Sequence, residues 1–414
     1  MFISDSYDLV IVGGGIAGAS LGKCMAQAGA RVLILEAAGH FKDRVRGEVV
    51  LPWGVAEVKA LALDDAFQAA GALQLRWANQ YLGSAQTEHR DLPATTLTKT
   101  PAISFYHPRM QDCLLRAAED AGVEVSRGGE VTAIQRGSPT YVTCNRNGKS
   151  QEIHARLVVV ADGRNSHLRR SLGFELQRES HTGCIAGMLF EGVPLPEDTL
   201  QWFINPALGE AVGWVPEGGA RVRAYLCYWG ERKPRLQGFS DVARLLHDQE
   251  WTGMATEYFS GAQPAGPLAT FEGADAWVEE PYKDGIALLG DSAASSDPSW
   301  GQGLSLALRG ARALRDSLLR NEDWHKAAYE YASEVRDFYW RVRTVTGWYR
   351  EFFLETGAAA DARRAHAFQH IAADASRFPD LLFSGPGIPL HSDTRQRFFA
   401  EDVKEHVPNS FTSA

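Results

Sequence analysis

The sequence predicts an α/β fold: a parallel sheet opened by a βαβ unit, an inserted mainly antiparallel β-sheet, and a helical C-terminal region. Three observations predict it. Residues 7–12 are a short apolar run of strand length that stops at glycine, 16–28 read as a helix ending at Gly29, and 31–35 are a second apolar strand. Between about 175 and 275 the texture changes to strand-like runs alternating with Gly/Pro turns. Near the C-terminus, Ala328, Tyr331, Val335, Phe338, Val342 and Val345 recur at alternating three and four, the spacing of a helical stripe.

The first turn carries chemistry. Gly13-Gly14-Gly15-Ile16-Ala17-Gly18 is a GxGxxG at the junction of strand and helix. Its first glycine permits the tight turn, its second lets backbone approach a pyrophosphate, and its third allows close helix–strand packing. The helix start then faces the anion. Gly22 shares the Gly18 face, and Glu36, ending the second strand, can accept hydrogen bonds from ribose hydroxyls. With strands, helix and acid all in place, the unit reads as a dinucleotide site.

Further along, 42–48 is a charged loop, seen alone a solvated one, and 108–121 a helix with Pro108 in its first turn. Short strands at 123–125, 130–134, 141–144 and 152–155 fit an antiparallel meander, and 156–161 is a buried-type strand ending in Asp162-Gly163. The inserted sheet draws on 184–190, 200–204, 211–215, 221–229 and 268–271, with Pro216-Glu217-Gly218-Gly219 as a hairpin loop. A buried strand at 284–289 runs into Gly290-Asp291, and a helix follows from Gly303 to about Leu319.

Composition excludes other classes. The chain has 42 basic against 51 acidic residues, a net charge of −9, which argues against a sequence-independent nucleic-acid binder. No segment reaches the roughly 18–20 apolar residues of a membrane span. The apolar N-terminal stretch follows acidic Asp5 and Asp8 rather than a basic region, so it does not read as a signal peptide. The 5 cysteines are scattered and form no CxxC pair, which fits a reducing, cytoplasmic compartment. No metal set is evident: His366 and His370 form an HxxxH pair without a following Glu or a third ligand. Gly18-Ala19-Ser20-Leu21-Gly22 matches G-x-S-x-G, but Ser20 lies inside the helix rather than on the elbow turn.

Three separated signals together resemble the class A FAD-dependent monooxygenases, the para-hydroxybenzoate hydroxylase-like family, over about the first 320 residues. They are Gly13–Gly18 with Glu36; Ala161-Asp162-Gly163 with Ser166 and Arg169; and Gly290-Asp291-Ser292-Ala293-Ala294, then Pro298 and Gly301-Gln302-Gly303. The resemblance implies a Rossmann-like FAD-binding domain from 1–70, 100–175 and 276–325 and a substrate-binding domain from 71–99 and 176–275; beyond its motifs the helical stripe gives a C-terminal helical region at 326–414.

It also assigns roles. Gly13, Gly15, Gly18 and Glu36 would hold the ADP half of FAD, with Ala17 and Val131 also binding the cofactor. Arg44 and Arg46 resemble the arginine-bearing segment near the flavin, and Arg109 an arginine reaching the phosphates or ribityl chain. Asp162 and Gly163 match the motif tied to FAD and NAD(P)H, and Gly290 and Asp291 would bind cofactor hydroxyls. Pro298, Gly301, Gln302, Gly303 and Leu304 would line the flavin ring where chemistry occurs. One departure stands out: Ala294 replaces the histidine usual after Gly-Asp-Ala-Ala, so any polar role of that side chain is lost.

The activity implied is hydroxylation or epoxidation of a bulky aromatic or polyketide-like small molecule. It would use NADH or NADPH and O2, and pass through a flavin C4a-hydroperoxide, in a monomer or homodimer. The alternatives are a reductase or dehydrogenase of the geranylgeranyl-reductase type, and a flavin-dependent halogenase, whose Trp-x-Trp-x-Ile-Pro motif Gly213-Trp214-Val215-Pro216 does not complete. In 221–229, strand alternation puts Val222, Ala224, Leu226 and Tyr228 on one face and Arg221, Arg223, Tyr225 and Cys227 on the other. Arg223 and Tyr225 are candidate substrate contacts, a cation beside an aromatic, with Trp214 a flat wall near the pocket mouth.

Overall fold

The computed structural model describes residues 6–137, 139–146, 148–180, 183–229, 233–254 and 256–401. The end of the expected C-terminal region, 402–414, lies outside the described residues.

The first sheet, parallel except at its Tyr282–Lys283 edge, runs in the order Tyr282–Lys283, Ile286–Leu288, Lys149–Val160, Ser6–Val12, Val32–Glu36, Glu124–Arg127. Its central strands read as continuous apolar runs because both faces are covered. Leu9, Ile11, Ile34, Leu157 and Val159 join the core under helices Ile16–Gln27, His107–Asp120 and Gly303–Arg320. Val10, Val12, Leu33, Leu35, Val158 and Val160 join a smaller core on the other face.

Register decides where the site lies. Val12 pairs with both Leu35 and Val160, and Val160 with Leu288, all in parallel. Three strands therefore end level. The glycine turn, Asp162-Gly163 and Gly290-Asp291 all emerge at the carboxyl edge, where open α/β sheets bind ligands.

Two expectations need correction. The separate strands at 152–155 and 156–161 are one strand, Lys149–Val160. Its polar first half pairs with Thr140–Arg146 and its apolar second half enters the parallel sheet, so the texture changes inside the element. The hairpin loop at 216–219 is a turn at Gly219-Ala220, because Pro216 and Glu217 stay in the strand Glu210–Gly218.

The second sheet runs Gln263–Pro264, Gly183–Glu191, Arg221–Trp229, Glu210–Gly218, Thr199–Asn205, Trp77–Leu82, Ala85–Asp91. Pairing is antiparallel except between Thr199–Asn205 and Trp77–Leu82. One face carries a core of its own with helix Val242–Trp251; on the other, Tyr225 and Cys227 join the core of the parallel unit.

Helices Trp324–Phe353 and Thr394–Phe399 close a cluster of Trp300, Tyr349, Phe352, Phe353, Phe378 and Phe398. Among the described residues no helix is long and apolar enough to cross a membrane.

Candidate cofactor and active site

Two helix starts meet at the carboxyl edge. Helix Ile16–Gln27 begins after Gly15 and helix Gly303–Arg320 after Gln302; neither has a side-chain cap or an acid in its first turn. Their orphan backbone N–H groups are the donors that an anion or a polarised ring can use. Gly290 sits beside both, since a Cβ there would lie 3.1 Å from Ala17 Cβ and 3.8 Å from Ala307 Cβ.

The glycines fall into two kinds. The protein itself demands Gly13 and Gly18: a Cβ at Gly13 would collide with the Ala161 carbonyl, and one at Gly18 with the Gly13 carbonyl. Gly15 and Gly303 differ. Gly15 has φ −70° and ψ −176°, backbone any residue adopts, and a Cβ there would meet only Gln111 Nε2, 3.9 Å away. A Cβ at Gly303 would meet only Ser296 Oγ at 3.8 Å. Internal packing does not require these two bare positions, so they fit a group laid against the helix starts, as FAD would be.

Polar groups converge on the same edge. Glu36 Oε2 accepts from Gly14 N and Oε1 from Ala38 N, each at 2.7 Å. Asp291 lies in a short 3-10 turn, and Ser292 Oγ donates to the Val160 carbonyl at 2.6 Å, tying that turn to the strand end. Arg169 donates to the Ser292 carbonyl at 3.1 Å and Arg164 to the Ser296 carbonyl at 2.9 Å, so arginines after Asp162-Gly163 brace the loop after Gly290. Burial raises the Asp162 carboxyl, opposed by the Ser166 hydroxyl. Partial desolvation pushes the Arg46 guanidinium down, and the charge of Asp291 opposes it. The loop bearing Arg44 and Arg46 crosses the second helix start, with Leu304 3.7 Å from where a Gly47 Cβ would be. Val131 lies farther out, half-buried on strand Glu130–Gln135.

Four expected roles change. The exposed Arg109 turns away from the glycine turn and donates to the Ala69 carbonyl at 3.0 Å. Two residues along a helix is more than half a turn, and the face toward the site carries His107, Gln111 and Leu115. His107 Nδ1 bonds the Gly47 carbonyl at 2.9 Å, Gln111 stands before Gly15, and Leu115 meets Gly14. Sequence reasoning missed His107 and Gln111; their four-residue spacing with buried Leu115 was the available signal. Burial lowers the His107 pKa, favouring the neutral ring.

Gln302 is buried, but its side chain is spent on structure: Oε1 accepts from Trp53 Nε1 at 3.0 Å and Nε2 donates to the Trp300 carbonyl at 2.8 Å. Trp214 is fully buried on the far face of the second sheet, against Phe203 and Phe259, so it walls no pocket mouth. Arg223, also fully buried, is bound by Glu48 and Asp43 rather than open to substrate. The alternation itself is as expected. Tyr225 faces the parallel unit, and its hydroxyl donates to the Arg46 carbonyl at 2.6 Å. Pro298 stays half-buried in the turn Pro298–Trp300, and Gly301 follows it in the left-handed region at φ +62°.

Comparisons with known proteins agree with this geometry. A family profile described as FAD binding domain matches residues 6–344. Menaquinone reductase of Mycobacterium tuberculosis is 25% identical over 352 residues, covering 78% of this chain and 79% of its own. 6-Methylpretetramide 4-monooxygenase of Streptomyces rimosus is 25% identical over 387 residues, 87% of each chain. The crystal structure of p-nitrophenol 4-monooxygenase PnpA from Pseudomonas putida DLL-E4 superposes with a TM-score of 0.77 at 17% identity, over 92% of this chain and 97% of that one. With glycine turn, acid, paired helix starts and a profile match over most of its length, the chain belongs to the FAD binding domain family.

Proposed function

We propose that the protein is a FAD-dependent monooxygenase, taking electrons from NADH or NADPH and using O2 to hydroxylate or epoxidise a bulky, largely apolar aromatic or polyketide-like small molecule. The observation that carries this reading is the pair of bare glycines, Gly15 and Gly303, at two uncapped helix starts on one sheet edge. Bound FAD would supply the electron storage and oxygen activation.

The chain's own residues do the rest. Amides at the Gly15 helix start would hold the pyrophosphate, with Gln111 alongside, and Glu36 and Asp291 would accept hydroxyl hydrogen bonds from the ribose and polyol parts. Pro298, Gly301 and Gly303 would line the ring, and the Gly303 helix start would favour negative charge developing there. Arg44, Arg46, Asp162 and Gly163 would complete the rim. The second sheet, drawing on 71–99 and 176–275, would act as the substrate-binding domain and keep water from the ring.

Two relatives with monooxygenase names support oxygen insertion. The similarity to menaquinone reductase favours a second reading, reduction or desaturation of carbon without O2. Isotope-labelled O2 separates them. The first reading expects one labelled oxygen in product with NAD(P)H consumed; product formed anaerobically without added oxygen would select the second. A metabolite panel screened for substrate-stimulated NAD(P)H oxidation would supply the substrate.

A further inference from the structure

The loop 43–48, which carries Arg44 and Arg46, is gripped from the second sheet. Arg223 donates Nε to Glu48 Oε2 at 2.6 Å and Nη2 to Asp43 Oδ2 at 2.8 Å and Glu48 Oε1 at 3.1 Å. One guanidinium thus ties both ends of the loop. Between those ends, the Tyr225 hydroxyl holds the Arg46 carbonyl. Val45 has φ +52°, a rare conformation for a β-branched residue. Its side chain occupies the hollow left by Gly187, where a Cβ would fall 2.5 Å from Val45 Cγ1. From the parallel unit, His107 N donates to Glu48 Oε1 at 3.0 Å. Such strain persists only where the surroundings over-determine it.

The charges do not balance. Arg223 faces Asp43, Glu48 and also Glu217, 3.6 Å from its Nε; Glu48, Glu217 and Arg223 are fully buried as side chains. Half-buried Arg221 stands 4.0 Å from Glu217 with its guanidinium over the Tyr106 ring. Tyr106, Tyr225 and His107 are further titratable groups facing the cluster. Two fully buried carboxylates, Glu48 and Glu217, with Asp43 close by, crowd the one buried guanidinium, which disfavours ionising all three. Burial and the adjacent Glu48 push the Glu217 carboxyl up to about 10; since Arg223 bonds Glu48 at 2.6 Å and stands 3.6 Å from Glu217, the proton of this pair belongs on Glu217.

We propose that Arg223 and Glu217 form a proton-dependent latch by which the second sheet positions the loop 43–48. Both are positioning residues. While Glu217 is neutral, Arg223 is shared by Asp43 and Glu48; once Glu217 ionises, a third carboxylate competes for it and the loop loosens. What the loop faces rests on the function proposed above, but the latch itself does not.

Lys42, Arg44 and Arg46 are exposed trypsin sites within or beside the loop. The test is tryptic cleavage of the full chain, with and without FAD, at about pH 8 and about pH 10. Rates after 44 and 46 are read relative to cleavage after Lys149, and thermal unfolding is followed in parallel. The wild type should resist at the lower pH and gain roughly tenfold in relative rate at the higher, as Glu217 ionises. Glu217→Gln should resist at both. Arg223→Met should be cut at both, and Gly187→Ala, which evicts Val45 without touching a charge, should be cut at the lower pH. A wild type without the rise, or a Gln variant that keeps it, overturns the proton dependence. Resistance in both Arg223→Met and Gly187→Ala overturns the latch. A protein that shows this pattern but takes up no FAD refutes the proposed function and leaves the latch standing.

Discussion

Asp291 is half-buried, in a short turn at the sheet edge, and its charge acts on Arg46. Losing a charge-assisted hydrogen bond costs about 1.5–3 kcal/mol, so Asp291→Ala should weaken FAD by roughly ten- to a hundredfold in a flavin fluorescence titration. An aspartate serving only the turn would lower stability and leave that affinity unchanged. The helix face makes a paired prediction. Gln111→Ala should weaken FAD, whereas Arg109→Ala, removing a bond to the Ala69 carbonyl, should not. The reverse order would return the phosphate role to Arg109. Glu217 predicts a pH dependence of folding. Its carboxyl titrates near 4.5 in a solvated chain and near 10 in the fold. The folded state therefore holds an extra proton between those values, and stability falls as pH rises through that window. Urea unfolding of wild type should show this decline and Glu217→Gln should lack its share; identical slopes would mean that Glu217 is ionised in the fold.

At the scale of elements, close approach is written into single glycines. A Cβ at Gly54, in helix Pro52–Ala60, would fall 2.6 Å from Ser305 Cβ and 2.7 Å from Val50 Cγ1. Gly54→Ala should cost about 1–3 kcal/mol as an overpacked contact, read as a lower Tm, and should tilt the Gly303 helix enough to weaken FAD. An unchanged Tm would show that the contact can relax. Gly54 illustrates what sequence does not disclose, since neither helix Pro52–Ala60 nor its partner can be inferred from so short and evenly apolar a run. The βαβ unit was legible because strand period, helix period and glycine punctuation agree there. Strand Lys149–Val160 was misread because half of it sits at a solvent-facing meander and half in a buried sheet. The alternation of strand Arg221–Trp229 was legible, but not that both faces are covered. Trp214 and Arg223, which alternation alone offers to a substrate, are instead enclosed within the protein. Arg109 was misplaced for the same kind of reason: a motif match names a residue type, while helix phase decides where it points.

Across the whole molecule, two sheets and a helical clasp are arranged about one edge. The parallel sheet ends three strands level, the second sheet grips the arginine-bearing loop, and the C-terminal helices back the Gly301–Gly303 turn through Gln302, Trp53 and the bare Gly385, whose Cβ would fall 2.5 Å from the Trp53 ring. The edge holds FAD against two helix starts left bare for it. Gly15→Val tests this most directly, because the protein has open space there and ordinary backbone, so only a bound group is obstructed. Flavin bound per chain should be measured after FAD reconstitution, alongside thermal unfolding of the flavin-free proteins. The expected result is a yellow wild type, a colourless variant, and equal unfolding of the two flavin-free chains. A variant that binds FAD like the wild type, or a wild type that takes up none, would contradict it.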